Sequence, residues 1–238
     1  MSCLLMGGQA CVLYGAAEFS RDTDLVILPD SDNLARLQAA LADLQAECIA
    51  VPPFDRQYLE MGLAVHFRCH HPEADGIRVD VMSKLRGVEE FSQLWPRRTT
   101  VIVDGEPVEL LSLPDLVRAK KTQRDKDWPM IARLVEANYF QHRDDASPQR
   151  VRFWLLEMRT PALLVEVAQR FPADLEQLSG QRPLLRLAAT GDQTAVRETL
   201  RSEEHAEREA DRRYWKPLLA ELQRLRWARN MQPGERVG

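Results

Sequence analysis

The chain contains no run of apolar residues near the ~18 needed to cross a membrane as a helix, and its start has no basic stretch leading into a cleavable apolar core. A cytoplasmic protein with no membrane partner is expected. Cysteine is scarce: Cys3, Cys11, Cys48 and Cys69 lie scattered through apolar stretches without CxxC spacing. That spacing argues against a disulfide scaffold or zinc ribbon and for free thiols in a reducing compartment. Cys69-His70-His71 comes nearest to a metal cluster, but adjacent strand residues point to opposite faces, so a strand end is expected there. Charge of one sign is not in excess either. The 32 Lys+Arg against 36 Asp+Glu give -4, and the total demands no nucleic-acid partner. The distribution is mildly asymmetric: residues 1–140 carry -6 and the remainder +2. A solvated helical surface produces such a difference as readily as an RNA-binding face. Internal repeats and low-complexity tracts are also missing.

What is present is enough apolar material for a core, 45% of 238 residues, and a change of pattern near residue 111. Before it, short β-rich runs alternate with helical segments; after it, the sequence reads almost wholly helical. The pattern predicts an α+β fold: a mixed β-sheet core with flanking helices over 1–111, a helical segment over 112–142 and an all-helical C-terminal region over 143–238. Strands are expected at Ser2 to Met6, Asp24 to Leu28, Leu63 to Cys69 and Ile77 to Met82, the last two as a hairpin joined through His70 to Gly76. A short helix is expected over Gln9 to Glu18, and a longer one with Leu34, Leu37, Leu41 and Leu44 on one face. Asp104-Gly105 between Thr99–Val103 and Pro107–Leu111 is a type I′ hairpin signal. Further helices are expected over Leu113 to Thr122 and Trp128 to Phe140, with His142 to Gln149 as linker. Nine charged side chains between Arg201 and Arg213 predict a solvent-exposed helix. Its end carries an apolar stripe, Trp215, Leu218, Leu219, Leu222 and Leu225, which must pack within the chain or on a partner.

Three local features carry chemistry. Asp22 and Asp24, one residue apart at the head of a strand, point to the same face roughly 7 Å apart. Two such carboxylates repel unless a cation or a basic side chain neutralises them, and a hard divalent ion prefers oxygen ligands. The bland alternative is that Asp22 caps a turn with Ser20 and Arg21. Gly7-Gly8, where a strand passes into a helix, leaves backbone amides bare to an anion, or is only a turn. Asp80 shares a strand face with Arg78 and Met82; it is either a solvent-facing acid beside Arg78 or a third ligand next to the Asp22/Asp24 strand.

Met6-Gly7-Gly8, Asp22-Thr23-Asp24 after thirteen intervening residues, and Asp80 on a later strand together resemble the nucleotidyltransferase superfamily, of polymerase-β-like fold. More narrowly, Lys120, Arg124 and Asp127 match a helical motif of small bacterial nucleotidyltransferases related to AbiEii-type toxins of toxin-antitoxin and abortive-infection systems. The resemblance covers about residues 3 to 140. It implies Mg2+-dependent transfer of an NMP from an NTP to a hydroxyl acceptor such as tRNA, a protein or a small molecule. It also implies two Mg2+ ions held by Asp22, Asp24 and Asp80, with Asp80 nearest the attacking hydroxyl. Gly7, Gly8 and Gln9 would cradle the triphosphate with help from Arg21. Lys120 and Arg124 would neutralise charge on the phosphates, and Asp127 would orient them.

Two departures stand out. Related sequences usually have a helix before the first strand, whereas here the strand begins almost at Met1, so the start is shortened or the sheet edge is covered by something else. The acid often found three residues after Asp127 is Met130. The alternative to an enzyme is a non-catalytic relative, a binding or regulatory module whose C-terminal helices engage an antitoxin or a second copy.

Overall fold

The computed structural model of the chain describes residues 1–231. The fold is α+β, a seven-stranded mixed sheet with flanking helices followed by a helical C-terminal region. Its first half runs β1 (Cys3–Met6), α1 (Gly7–Leu13), β2 (Asp22–Ile27), α2 (Ser31–Asp43), β3 (Glu47–Cys48), α3 (Arg56–Met61), β4 (Val65–Arg68) and β5 (Arg78–Met82). Next come α4 (Phe91–Leu94) with a 3-10 turn at Trp95–Arg97, then β6 (Thr99–Val103) and β7 (Glu106–Leu110). The helices that follow are α5 (Leu113–Ala119), α6 (Asp127–His142), α7 (Pro148–Glu157), α8 (Pro161–Arg170), α9 (Pro172–Leu178), α10 (Leu184–Ala189) and α11 (Gln193–Met231). The described residues form two compact units, one of Met1–Ala10, Phe19–Leu116 and 212–231, the other of Cys11–Glu18 and Val117–Asp211.

In the first unit the strand order is β3-β4-β5-β2-β1-β7-β6. β1 pairs antiparallel with β2 and parallel with β7, so it is an interior strand and needs no cover at an edge. β2 and β5 are parallel neighbours, and β4 closes the expected hairpin with β5. One face of β2, β4 and β5 is apolar. Ile27, Val65, Phe67, Val79 and Val81 are buried there with Leu37 and Leu41 of α2 and Leu59 of α3, while Leu34 and Leu44 pack at the margin. Burial of that stripe anchors α2 more than its intrinsic propensity does. Asp30 caps α2 by accepting from the Asn33 amide.

Asn33 then ties the ends of two strands together. Its side-chain amide donates to the carbonyls of Ser2 and Leu28, both at 2.9 Å, and its Oδ1 accepts from the Ser2 amide at 2.7 Å. In the hairpin of β6 and β7, Asp104 and Gly105 adopt φ of 52° and 87°, as the type I′ reading requires.

Element bounds differ from expectation where local bonds end a helix. α1 stops at Leu13 rather than running to Glu18, because the Gly15 and Ala16 amides fold back onto the Val12 and Cys11 carbonyls. β2 begins two residues early, at Asp22, and so includes both acids. The apolar stripe near the end of α11 packs in part within this unit: Leu218 is buried and, with Tyr214, lies over Gly62, whereas Leu219 is exposed.

The second unit holds a polar network that the charge run concealed. Arg182 is buried and donates to the carbonyls of Leu155 (2.8 Å) and Met158 (3.1 Å) and to Glu203 (2.8 Å), which Arg159 also reaches at 2.9 Å. Asp211 is buried as well and accepts from the Gln123 amide. The Arg201 to Arg213 segment is thus not simply a solvated face; several of its charges are internal partners of residues in the connections between other helices of the same unit. A helix pattern alone does not reveal this, since pairing partners lie tens of residues away.

Candidate functional site

In-register pairing fixes which side chains share a face. Asp24 of β2 stands beside Asp80 of the parallel β5, Asp22 beside Arg78, and His66 of β4 opposite Asp80. Directly paired residues project to the same side of a sheet. Asp22, Asp24, Arg78, Asp80 and His66 therefore form one polar patch across three adjacent strands, on the face opposite the apolar core. Asp80 is on the same side as the aspartate pair and not turned away from it.

At the other end of β2's partner, Met6 pairs with Asp24, and Gly7 opens α1 immediately afterwards. Gly7 has φ +66°, and a Cβ there would stand 1.8 Å from Asp24 Oδ2. The residue must be glycine for two reasons, a left-handed backbone and a carboxylate lying over it. A Cβ on Gly8 would stand 2.3 Å from Ser20 Oγ. Ser20 in turn donates to the Asp22 carbonyl at 3.2 Å, and Gln9 donates through Nε2 to Thr23 Oγ1 at 3.0 Å. The glycine turn is thus built against the acid-bearing strand. Arg21 is exposed just before that strand, its guanidinium 5.8 Å from the Phe19 ring.

The electrostatics centre on Asp80. Arg78 Nε donates to Asp80 Oδ1 at 2.7 Å, His66 Nδ1 lies 2.8 Å from the same oxygen, and Arg78 Nη2 lies 3.0 Å from His66 Nδ1. A protonated Nδ1 serves Asp80 and a bare one accepts from Arg78, so this nitrogen satisfies one of the two at a time. Burial pushes the Asp80 carboxyl up, but the hydrogen bonds and charges of His66 and Arg78 outweigh it and hold the group below the usual carboxylate range. The Arg78 guanidinium is held above its ordinary value chiefly by its hydrogen bond to Asp80, with Asp22 and Asp24 adding to the effect against some burial. Arg78 thus feels all three acids.

Three carboxylates on one face are the oxygen donor set that suits a hard divalent ion such as Mg2+. The bare Gly7 leaves room for the Asp24 carboxylate, and the residues fit that ion in kind. Among the described residues, however, no group of three or more His, Cys, Asp or Glu side chains is gathered as a ligand set. The basic group among these acids is Arg78.

The predicted cations form a second group, within the second unit. Asp127 is buried and accepts through Oδ2 from Arg124 Nε at 2.7 Å and from Thr122 Oγ1 at 2.5 Å, while Lys120 Nζ lies 3.9 Å from Oδ1. Lys120 is itself buried and Arg124 exposed. The spacing of this motif is therefore that of one carboxylate holding two cations around the turn between α5 and α6.

In the sequence Arg78 reads only as a neighbour of Asp80, and no motif marks His66 or Asn33. The alternation Val65-His66-Phe67-Arg68 did put His66 on a polar face, but only the hairpin register pairs it with Asp80.

No family model matches the chain, and no curated protein matches it. Among solved structures, it is similar to the crystal structure of an antigenic nucleotidyltransferase-like protein from Paracoccidioides brasiliensis, at 18% identity and a TM-score of 0.31, over 79% of this chain and 83% of that one. A correspondence this loose assigns no activity. Among the described residues no helix is long and apolar enough to cross a membrane.

Proposed function

We propose that the chain is a nucleotidyltransferase that moves an NMP from an NTP to a hydroxyl acceptor with the help of Mg2+. The observation that carries this reading is the pairing of Asp24 with Asp80, which sets three carboxylates on one face beside a glycine turn that lies under Asp24. Bound Mg2+ supplies Lewis-acid chemistry, lowering the pKa of an acceptor hydroxyl and stabilising charge on the transferring phosphate and its pyrophosphate leaving group. Asp22 and Asp24 hold the ions from β2, and Asp80 does so from β5. As the resemblance implies, Asp80 lies nearest the attacking hydroxyl, where it can serve as ligand and as base. Gly7, Gly8 and Gln9 border the space for the triphosphate. Lys120 and Arg124 carry the charge that neutralises phosphate, as the resemblance implies, and Asp127 keeps both oriented. A toxin role, with tRNA, protein or a small molecule as acceptor, rests on the resemblance of that Lys-Arg-Asp motif.

The test is binding of each of the four NTPs with and without Mg2+, followed by thermal shift in the wild type and Asp24→Ala. A metal-dependent rise in the wild type, absent in the variant, is the expected result, and labelled NTP then identifies the acceptor. An equal rise in Asp24→Ala would overturn the metal assignment. A second reading, a non-catalytic binding module, is favoured by one observation: Arg78 and His66 already engage Asp80. Its mark is a folded wild type that responds to no nucleotide.

A further inference from the structure

The geometry points to Arg78 as a resident counter-ion that holds the acid patch together without metal and competes with a divalent cation for Asp80. This inference rests on the reading of the three aspartates as metal ligands and adds a residue to which that reading gives no role. Four observations carry it. Arg78 pairs with Asp22 across the parallel β2–β5 ladder and donates to Asp80 two residues along its own strand, so its base lies between acids of both strands. Its far end is steadied on the neighbouring strand by His66 Nδ1 at 3.0 Å. The Asp80 side chain is only 12% exposed, so a charge there needs a partner at all times. The Arg78 side chain is 38% exposed, so it can swing into solvent without stranding its own charge in a low-dielectric site.

A guanidinium and a divalent ion cannot share one small carboxylate at full strength, because each repels the other and Arg78 already draws on Asp80 Oδ1. Metal binding and the Arg78–Asp80 contact are therefore antagonistic. By reciprocity, the metal weakens the Arg78 contact by the factor by which that contact weakens the metal, so a weaker contact gives tighter metal. Arg78 thereby helps set the metal concentration at which the patch loads, and offsets part of its negative charge below that concentration.

The experiment uses the full chain and Mn2+ as a probe, with free Mn2+ counted by electron paramagnetic resonance and metal-free melting followed in parallel. The variants are Arg78→Gln, Arg78→Lys and, as control, Asp24→Ala. Arg78→Gln is expected to bind Mn2+ about tenfold more tightly than the wild type. It should also melt at a lower temperature without metal, with the difference closing at saturating Mn2+. Arg78→Lys keeps a charge but cannot reach His66 and Asp80 together; it is expected to fall between the two and carries the comparison if Arg78→Gln does not fold. Unchanged or weaker Mn2+ binding in these variants, with wild-type binding still dependent on Asp24, would overturn the role of Arg78 and leave the metal reading standing. Binding undiminished in Asp24→Ala, or no binding in any of the proteins, would overturn the metal reading itself and this inference with it. Binding by Arg78→Gln alone would support the inference in its strongest form, a patch that the arginine keeps closed to metal.

Discussion

The tightest constraint at the site is between two residues, Gly7 and Asp24. A left-handed backbone at a non-glycine residue costs about 1–3 kcal/mol, and at Gly7 a methyl group must also displace a carboxylate oxygen 1.8 Å away. Gly7→Ala is therefore expected to lower the urea midpoint markedly, and to lower it less when Asp24 is already alanine. A double-mutant cycle should return a coupling of about 1–2 kcal/mol; equal costs in both backgrounds would mean that the carboxylate does not dictate the glycine. This pair also marks what could be read directly. Met6-Gly7-Gly8 and Asp22-Thr23-Asp24 were legible as features because chemistry singles out those residue types. That one sits on the other was not, since the contact depends on the Met6–Asp24 register.

Among elements, β1 and β2 bear the glycine turn and two of the acids, and Asn33 is their clasp. Its side chain satisfies two backbone carbonyls and one amide at the ends of these strands. A leucine of similar size would leave all three without that partner, although the Ser2 carbonyl keeps the Leu28 amide at 3.4 Å, and an unsatisfied group at such half-buried positions costs on the order of 1 kcal/mol. Asn33→Leu is expected to destabilise the fold by at least one such increment in chemical denaturation and to speed hydrogen exchange at Ser2. Unchanged exchange there would show that the clasp is not what holds β1. The strands and hairpins were legible from alternation and from the Asp104-Gly105 turn, and α2 from its leucine spacing. Ser2 lies 31 residues from Asn33 in sequence, and an asparagine in the first turn of a helix reads only as a polar surface residue.

For the molecule as a whole, acid stability draws on a partly buried, depressed carboxyl in each compact unit, Asp80 in the first and Glu203 in the second. Burial would raise Asp80 and Glu203, but hydrogen bonds and charges from His66 and Arg78 on the first, and from Arg182 with Arg159 and Lys121 on the second, bring both below their ordinary values. A carboxyl with a lower pKa folded than unfolded stabilises fully above the unfolded value, about 4. That contribution disappears as pH falls through the folded value. Stability should accordingly fall as pH drops below about 4, and the combined Asp80→Asn, Glu203→Gln variant should show a flatter acid limb whatever its stability near neutrality. A wild-type profile matched by the variant over that range would refute the assignment. At this scale the sequence yielded least: the change from mixed to helical pattern near residue 111 was visible, but the internal ion network of the second unit was not. Charge runs on a helix look solvated until partners such as Arg182 and Glu203 are brought together by the tertiary fold.

The glycine beneath Asp24 has a consequence for descent. A lineage that loses Asp24 removes the nearest obstacle to a side chain at position 7, leaving only the Cβ of residue 24 at 2.7 Å, and with a small shift of that strand asparagine or aspartate, which tolerate a left-handed backbone, can settle there by drift. Once that has happened, restoring the acid alone places its oxygen within 1.8 Å of an existing Cβ. Reversal then needs two changes at once, so the step out of a carboxylate-bearing ancestor is easier than the step back, and relatives should rarely pair an aspartate at 24 with anything but glycine at 7.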